Sequence, residues 1–233
     1  MDVGNVLSYA VVIVVVGFLL GSIPWGLIIS KLFYKTDIRE HGSGNIGTTN
    51  TIRALGKGAG AVVFILDFLK GLVAGVLGLS LGAMAAGYYI YNAGAQAIDP
   101  LVITSTSYHI NGLMIGLAFL ACVAGHIFSP WLKFKGGKGI ATAVGCAFVV
   151  FGGLGAVIAF AVFVLFVLLT RYVSIGSMVA AFSCPFVAWW SSHGEPVFVI
   201  VVAMTTALMI WAHRGNIKRL RDGTESRIGK PKK

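Results

Sequence analysis

The sequence predicts an all-α, polytopic integral membrane protein of about seven transmembrane helices, with its amino terminus outside and its carboxyl terminus in the cytoplasm. Three observations carry this. Hydrophobic residues make up 57% of the 233-residue chain and charged residues 11%, where a soluble domain carries about 25% charged residues. Mean hydropathy is +0.88, so much of the surface must be solvated by lipid. The Lys and Arg residues behind the net charge of +10 fall in four zones, at 31–57, at 133–138, at Arg171 and from Arg214 onwards, with Lys70 standing apart. The positive-inside rule places such zones in the cytoplasm.

The apolar tracts between the zones supply the helices. With about 20 residues per crossing, they fall near 6–33, 58–90, 111–132, 139–152, 154–170, 174–191 and 196–213, all in one membrane domain, with a basic cytoplasmic tail at 214–233. The first tract is too long for the apolar part of a secretory signal, and no Lys or Arg precedes it, so it reads as a retained helix. Pro24 near its inner end predicts a kink. The stretch 58–132 must leave the cytoplasm and return; its polar middle, 92–111, holds Asp99 and no cation and reads as an outside loop. As one helix, 140–170 would be about 46 Å long. Parity between two inside zones requires a hairpin instead, turning at Gly152, Gly153 and Gly155. Its first arm is short and is expected to be enclosed by protein rather than lipid. The stretch 174–213 crosses twice around SSHGEP at 191–196.

Composition also excludes several classes. Cys122, Cys146 and Cys184 lie singly in apolar runs, with neither metal-ligand spacing nor the signature of a disulfide framework. Acids on the inner face are sparse (Asp37, Glu40, Asp67, Asp222 and Glu225), so a divalent-cation site of clustered carboxylates is not expected. The basic tail suits topology and anionic headgroups rather than nucleic acid, for no folded soluble module presents the charge.

Three motifs carry chemistry, all on the cytoplasmic face. HGSGNIGTTN at 41–50, followed by Arg53, combines glycines that expose successive backbone N–H groups with hydroxyl, amide and guanidinium donors. It is not a Walker A loop, because Thr-Thr follows Gly47. KFKGGKGIAT at 133–142 places three lysines and three glycines at the start of an apolar helix, where orphan N–H groups attract phosphate. HRGNIKRL at 213–220, with Gly223, Thr224 and Glu225 after it, holds His213, the most plausible titrating group near neutral pH. Asp67 and Lys70 share a helix face within a span, where ionisable groups are costly and functional by default. Two or more anion-binding loops on one face suggest more than one phosphate. An acyltransferase, a phosphorylated-solute transporter and a metal-dependent phospho-alcohol transferase remain open at this point. The clustering of polar motifs at the inner surface disfavours the second, and the scarcity of acids the third.

At these residues the chain resembles the bacterial membrane-bound glycerol-3-phosphate acyltransferases that use acyl phosphate (the PlsY type). The matching runs are GSIP at 21–24, 41–50 with Arg53, LDFLKG at 66–71, Gly125-His126, FKGGKGIAT at 134–142, RYVS at 171–174 and 213–225. Thr48 departs from the pattern, and the stretch 88–111 is long; neither is expected to touch the catalytic face.

The resemblance implies acyl transfer from acyl phosphate to the 1-hydroxyl of sn-glycerol 3-phosphate, giving lysophosphatidate and inorganic phosphate, the first acylation of phospholipid synthesis, without cofactor or metal. It implies a multi-pass protein of the bacterial cytoplasmic (inner) membrane, with a monomer as the working expectation and membrane lipid as its surroundings. Catalytic contacts are expected from Ser43, Asn45, Arg53, His213 and Asn216. Substrate contacts are expected from Gly42, Gly44, Thr49, Lys70, His126, Gly136, Gly137, Lys138, Gly139, Thr142, Arg171 and Ser174. His213 and the acceptor's own phosphate are both expected as bases for the attacking hydroxyl, the phosphate slightly preferred. Ser43 as an acylated nucleophile is disfavoured, since no Gly-x-Ser-x-Gly surrounds it.

Overall fold

The computed structural model describes residues 3–92 and 99–229. Among them every regular element is helical: α1 (Val3–Ser22), α2 (Trp25–Tyr34), α3 (Thr48–Leu55), α4 (Lys57–Asn92), α5 (Pro100–Ile127), α6 (Ile140–Val150), α7 (Gly152–Thr170), α8 (Val173–Ser191), α9 (Pro196–Ala212) and α10 (Arg214–Arg221), with short 3-10 turns at Ile38–Glu40 and Pro130–Leu132.

Five apolar spans are long enough to cross a membrane: Asn5–Tyr34, Lys57–Asn92, Leu101–Leu132, Gly152–Thr170 and Val173–Ser191. The pair α9 and α10, bent by 50°, makes a sixth. The remaining apolar helix, α6, has 11 residues, about 16 Å at 1.5 Å each, too short to cross alone. Its buried face includes Thr142, Gly145, Cys146 and Val150, packed among α4, α5 and α7. By contrast α7 exposes Leu154, Leu165, Leu168 and Leu169, an outer surface suited to lipid.

Two boundaries differ from the sequence expectation. The segment read as loop up to 111 is already helical from Pro100, because Asp99 accepts a hydrogen bond from the Leu101 N–H (2.8 Å) and proline occupies the first turn. Residues 93–98 of that expected loop, like 230–233 of the tail, lie outside the described residues. The turn expected across 152–155 is tighter, confined to Phe151 and Gly152, whose φ is +69°.

Helices cross closely at reciprocal glycine pairs. A Cβ on Gly71 would lie 2.0 Å from the Thr142 carbonyl oxygen, and one on Gly145 would lie 1.9 Å from that of Phe68. Thus α4 and α6 touch backbone to backbone. Gly21 and Gly125 do the same for α1 and α5, at 2.0 Å from Cys122 O and 2.1 Å from Phe18 O. In lipid, where apolar burial gives little drive for helix association, such contacts hold a bundle together. Gly145→Ala is therefore expected to separate α6 from α4, costing about 1–3 kcal/mol as overpacking does elsewhere. Thermal unfolding in detergent should read this as a lowered Tm, and an unchanged Tm would contradict the close crossing.

Candidate active site

The first loop, 41–47, is organised by Asn50, which is 2% exposed. Its amide donates to the carbonyls of His41 (2.9 Å), Asn45 (2.8 Å) and Ile38 (3.2 Å), while its oxygen accepts the Ser43 N–H (2.8 Å). Gly42 and Gly44, at φ +62° and +70°, make the turns this wrapping demands. Alongside, Asp37 accepts from Arg39 at 2.6 Å and 2.9 Å; this bond to the guanidinium pulls the Asp37 carboxyl well below the usual carboxylate range. Arg53 extends from α3 with no carboxylate in ion-pair reach among the described residues.

The second loop is held from below. Ser129 donates to the Ser22 carbonyl at 2.6 Å, and Trp131 Nε1 to the Ser22 hydroxyl at 3.0 Å. Gly136 and Gly137, expected to offer free N–H groups to phosphate, instead donate them to the carbonyls of Ile127 (2.9 Å) and His126 (3.0 Å). The loop is thereby stitched to the end of α5, and the part that lines the cavity begins at Lys138 and Gly139. Burial, then repulsion from Arg219 and Arg53, lowers the Lys138 ammonium to about 8.

The third motif closes the other side. His213 is 2% exposed, and its Nδ1 meets the Met209 carbonyl at 2.8 Å. A carbonyl only accepts, so Nδ1 carries the hydrogen and Nε2 keeps a lone pair. Chain residues after α10 fold back: Ile228 N–H donates to the Arg171 carbonyl (2.9 Å), and the Arg227 guanidinium sits over the Tyr172 ring. This return brings in Glu225, bound by Asn216 (2.8 Å) and Arg219 (2.7 Å). Burial opposes its charge, yet those bonds and the neighbouring Ser174 hydroxyl keep its carboxyl below the usual range.

All three motifs meet at one cavity. Of the expected residues, Ser43, Asn45, Thr49, Arg53, His126, Lys138, Gly139, Ser174, His213 and Asn216 line it. Four helices, α3, α6, α8 and α10, begin at its wall, none with a side-chain cap on its first turn. Helices α5 and α9, in contrast, are capped by Asp99 and Glu195. Uncapped amino-terminal N–H groups carry partial positive charge. With Arg53 and Lys138 beside them they form a receptor for anions. Buried polar atoms on the wall, among them Thr48 Oγ1 and Asn216 Oδ1, lack a hydrogen-bond partner. Among the described residues no group of three His, Cys, Asp or Glu side chains could hold a metal ion.

The remaining expected residues act behind the wall. Lys70, expected at a phosphate, is 5% exposed and turns inward: its ammonium meets Asp67 Oδ1 (2.7 Å), His126 Nδ1 (2.9 Å) and the Ile23 carbonyl (2.9 Å). That carbonyl lies at the Pro24 break between α1 and α2 and also accepts the Trp25 N–H at 3.1 Å. Thr142 is fully buried, 3.4 Å from His126 Nδ1, and does not reach the cavity. Arg171 contributes its carbonyl to Ile228 rather than its guanidinium to the wall. Thr48, expected away from the catalytic face, lines the cavity. So do Ser177, Arg219, Glu225 and Asn50, none of them among the expected contacts. Asn50 and Glu225 stand inside quoted motifs and were legible there; nothing in the sequence marks Ser177, one turn beyond Ser174 on α8.

A helical bundle with apolar outer faces and a cationic, helix-terminus-lined cavity at one end defines an integral membrane protein that binds phosphorylated ligands. The glycerol-3-phosphate acyltransferase family model matches residues 11–223. A glycerol-3-phosphate acyltransferase of Rhodopseudomonas palustris (strain HaA2) is 39% identical over 93% of this chain and 94% of its own. Glycerol-3-phosphate acyltransferase 2 of Bacillus anthracis is 39% identical over 92% and 96%. Among solved structures, the glycerol 3-phosphate form of PlsY, an integral membrane glycerol 3-phosphate acyltransferase, superposes with a TM-score of 0.75 at 34% identity, covering 94% of this chain and 96% of that one. Its lysophosphatidic acid form gives 0.73. The chain belongs to the glycerol-3-phosphate acyltransferase family and is a transferase.

Proposed function

We propose that this protein transfers a fatty acyl group from acyl phosphate to the 1-hydroxyl of sn-glycerol 3-phosphate, directly and without metal, at the cytoplasmic face of a bacterial inner membrane. The observation that carries this reading is the junction of two spaces. The cationic cavity shares Ile140, Phe163 and Ser177 with an apolar groove among α6, α7 and α8, lined also by Ala147, Ala180 and Met209. An acyl chain in the groove delivers its carbonyl to the junction, while phosphate extends into the cavity.

The reaction asks little of covalent chemistry, because a mixed anhydride already carries a good leaving group. The acceptor hydroxyl attacks the carbonyl carbon, the bond to the phosphate oxygen breaks, and inorganic phosphate leaves. Positioning two anions and stabilising the developing oxyanion supply the acceleration. Ser43, Asn45 and Arg53 hold the donor phosphate; Lys138 and the α6 terminus hold glycerol 3-phosphate; His213 and Asn216 orient the hydroxyl. The hydroxyl proton passes to the acceptor's phosphate, whose second pKa is about 6. His213, whose Nδ1 hydrogen is committed to the Met209 carbonyl, offers Nε2 to the hydroxyl as a hydrogen-bond acceptor.

Seven crossings, with α6 and α7 as the hairpin, amino terminus outside and carboxyl terminus inside, complete the reading. It is supported by exposed Lys31, Lys35, Lys57, Lys133, Lys135 and Lys218. Reporter fusions that place 92–111 in the cytoplasm would overturn this topology. The donor is tested by offering purified protein labelled glycerol 3-phosphate with acyl phosphate, acyl-CoA or acyl carrier protein. Product from acyl phosphate alone is expected, and product only from a thioester would refute the donor assignment.

A further inference from the structure

In the Asp67–Lys70–His126 cluster, Asp67 and His126 line the cavity and Lys70 stands behind them. An ammonium has three donors and no acceptor; Lys70 donates to the Ile23 carbonyl and meets His126 Nδ1, both at 2.9 Å, and pairs as an ion with Asp67 Oδ1 at 2.7 Å, an oxygen that also stands 3.6 Å from Nδ1. Because the ammonium can only donate, Nδ1 must present its lone pair. The neutral imidazole then carries its hydrogen on Nε2. That edge of the ring lies under the second glycine loop, where a Cβ on Gly137 would come within 2.0 Å of Nε2. The same ring lines the cavity beside Lys138 and Gly139. The His126 carbonyl meanwhile accepts the Gly137 N–H at 3.0 Å, so ring and loop are held in one register.

We propose that Asp67 and Lys70 are positioning residues that lock His126 in its Nε2–H tautomer, so that the ring offers an uncharged donor to the phosphate monoester held at the second loop. The assignment of that phosphate rests on the acyltransferase reading; the tautomer does not. Asp67 balances the lysine charge in a buried place where an unpaired ammonium would be costly. Lys70 in turn ties the ring to the Pro24 break, so the first transmembrane segment and the phosphate loop share one anchor. The opposite tautomer would set an Nδ1 hydrogen against the ammonium 2.9 Å away, with only the more distant Thr142 Oγ1 (3.4 Å) and Asp67 Oδ1 (3.6 Å) to receive it.

The test reads the ring nitrogens directly. In the protein labelled with nitrogen-15 in histidine, His126 is assigned by difference with His126→Asn. The expected pattern is a bare Nδ1, a protonated Nε2, and an Nε2 resonance that moves when glycerol 3-phosphate is added. A hydrogen found on Nδ1 would overturn the proposal. Lys70→Met should release the lock and give a mixture of tautomers; a single Nε2–H form in that variant would remove the role of Lys70. Kinetics supply the second readout. His126→Asn keeps an acceptor for Lys70 but loses the deep donor, and should raise KM for glycerol 3-phosphate by about tenfold with kcat little changed, the worth of one hydrogen bond to a charged group. His126→Gln, whose amide nitrogen reaches the Nε2 position, should restore it. Equal damage from both variants, in folded protein, would reduce the cluster to a structural buttress. If the protein transfers no acyl group, the proposed reaction fails on its own, while the nitrogen resonances still decide the tautomer.

Discussion

Lys138→Ala is expected to lower kcat/KM by about 10²–10³-fold, the effect of removing one charged donor from a preorganised, partly desolvated anion site. Lys138 contributes a cation at the point where α6 begins, close enough to Arg53 and Arg219 to feel both. Its lowered pKa turns this into a pH prediction with a definite sign. A lysine depressed to about 8 is charged below that value and neutral above it, so kcat/KM should fall as pH rises through about 8. The acid limb belongs to the acceptor's phosphate, protonated below about 6. The profile should therefore be bell-shaped between those limits, since kcat/KM reports groups of the free enzyme and free substrate. Lys138→Arg keeps its charge at all these values. It should retain measurable activity and push the alkaline limb upward. An unshifted alkaline limb in that variant would assign the limb to another group.

The second large effect concerns His213. Its Nδ1 hydrogen is committed to the Met209 carbonyl, which leaves Nε2 to accept. In the proposed reaction the ring orients the hydroxyl through Nε2 and the acceptor's phosphate takes the proton. His213→Ala should lower kcat by about 10²–10³-fold through lost orientation. His213→Gln, which can place an amide oxygen near the Nε2 position, should stay within about tenfold of the parent, as loss of one imperfectly replaced hydrogen bond would predict. The acid limb near pH 6 should be the same in parent and glutamine variant, because it does not come from this residue. Turnover abolished in His213→Gln, with both substrates still bound, would instead make His213 the general base.

Much of the architecture was readable from hydropathy and from the places where cations fall, because lipid leaves helices few alternatives. The start of α5 was misread for a local reason. Residues 100–111 are polar by composition, yet Asp99-Pro100 is a helix-start signal, and Ser105 satisfies its hydroxyl on the Val102 carbonyl within the helix. The loops that meet at the cavity were legible as anion-binding motifs, but the destination of each group was not. Glycine reveals where a backbone can bend; it does not reveal that the N–H groups of Gly136 and Gly137 are spent on α5 carbonyls. Lys70 looked like a substrate ligand because a charge in a span invites that reading. Besides Asp67, its partners are the Ile23 carbonyl, 47 residues away at a helix break, and His126, 56 residues away. Asn50 stood in a quoted motif, but its role as the hub of the first loop depends on four hydrogen bonds that only the folded chain brings together. Uncapped helix starts are the signal most easily overlooked. Gly47, Gly139, Tyr172 and His213 each precede a helix without a capping side chain, at the positions where an anionic ligand would take the cap's place.

The proposed direct transfer of acyl from its phosphate anhydride to the acceptor's hydroxyl is tested most directly by single-turnover phosphate release. Purified protein in lipid, mixed with a slight excess of palmitoyl phosphate, should release no phosphate until glycerol 3-phosphate is added. It should then release one phosphate for each lysophosphatidate formed, without added metal. A burst of about one phosphate per protein in the absence of acceptor, the fingerprint of an acyl-enzyme, would contradict direct transfer, and acyl recovered on Ser43 would name the nucleophile.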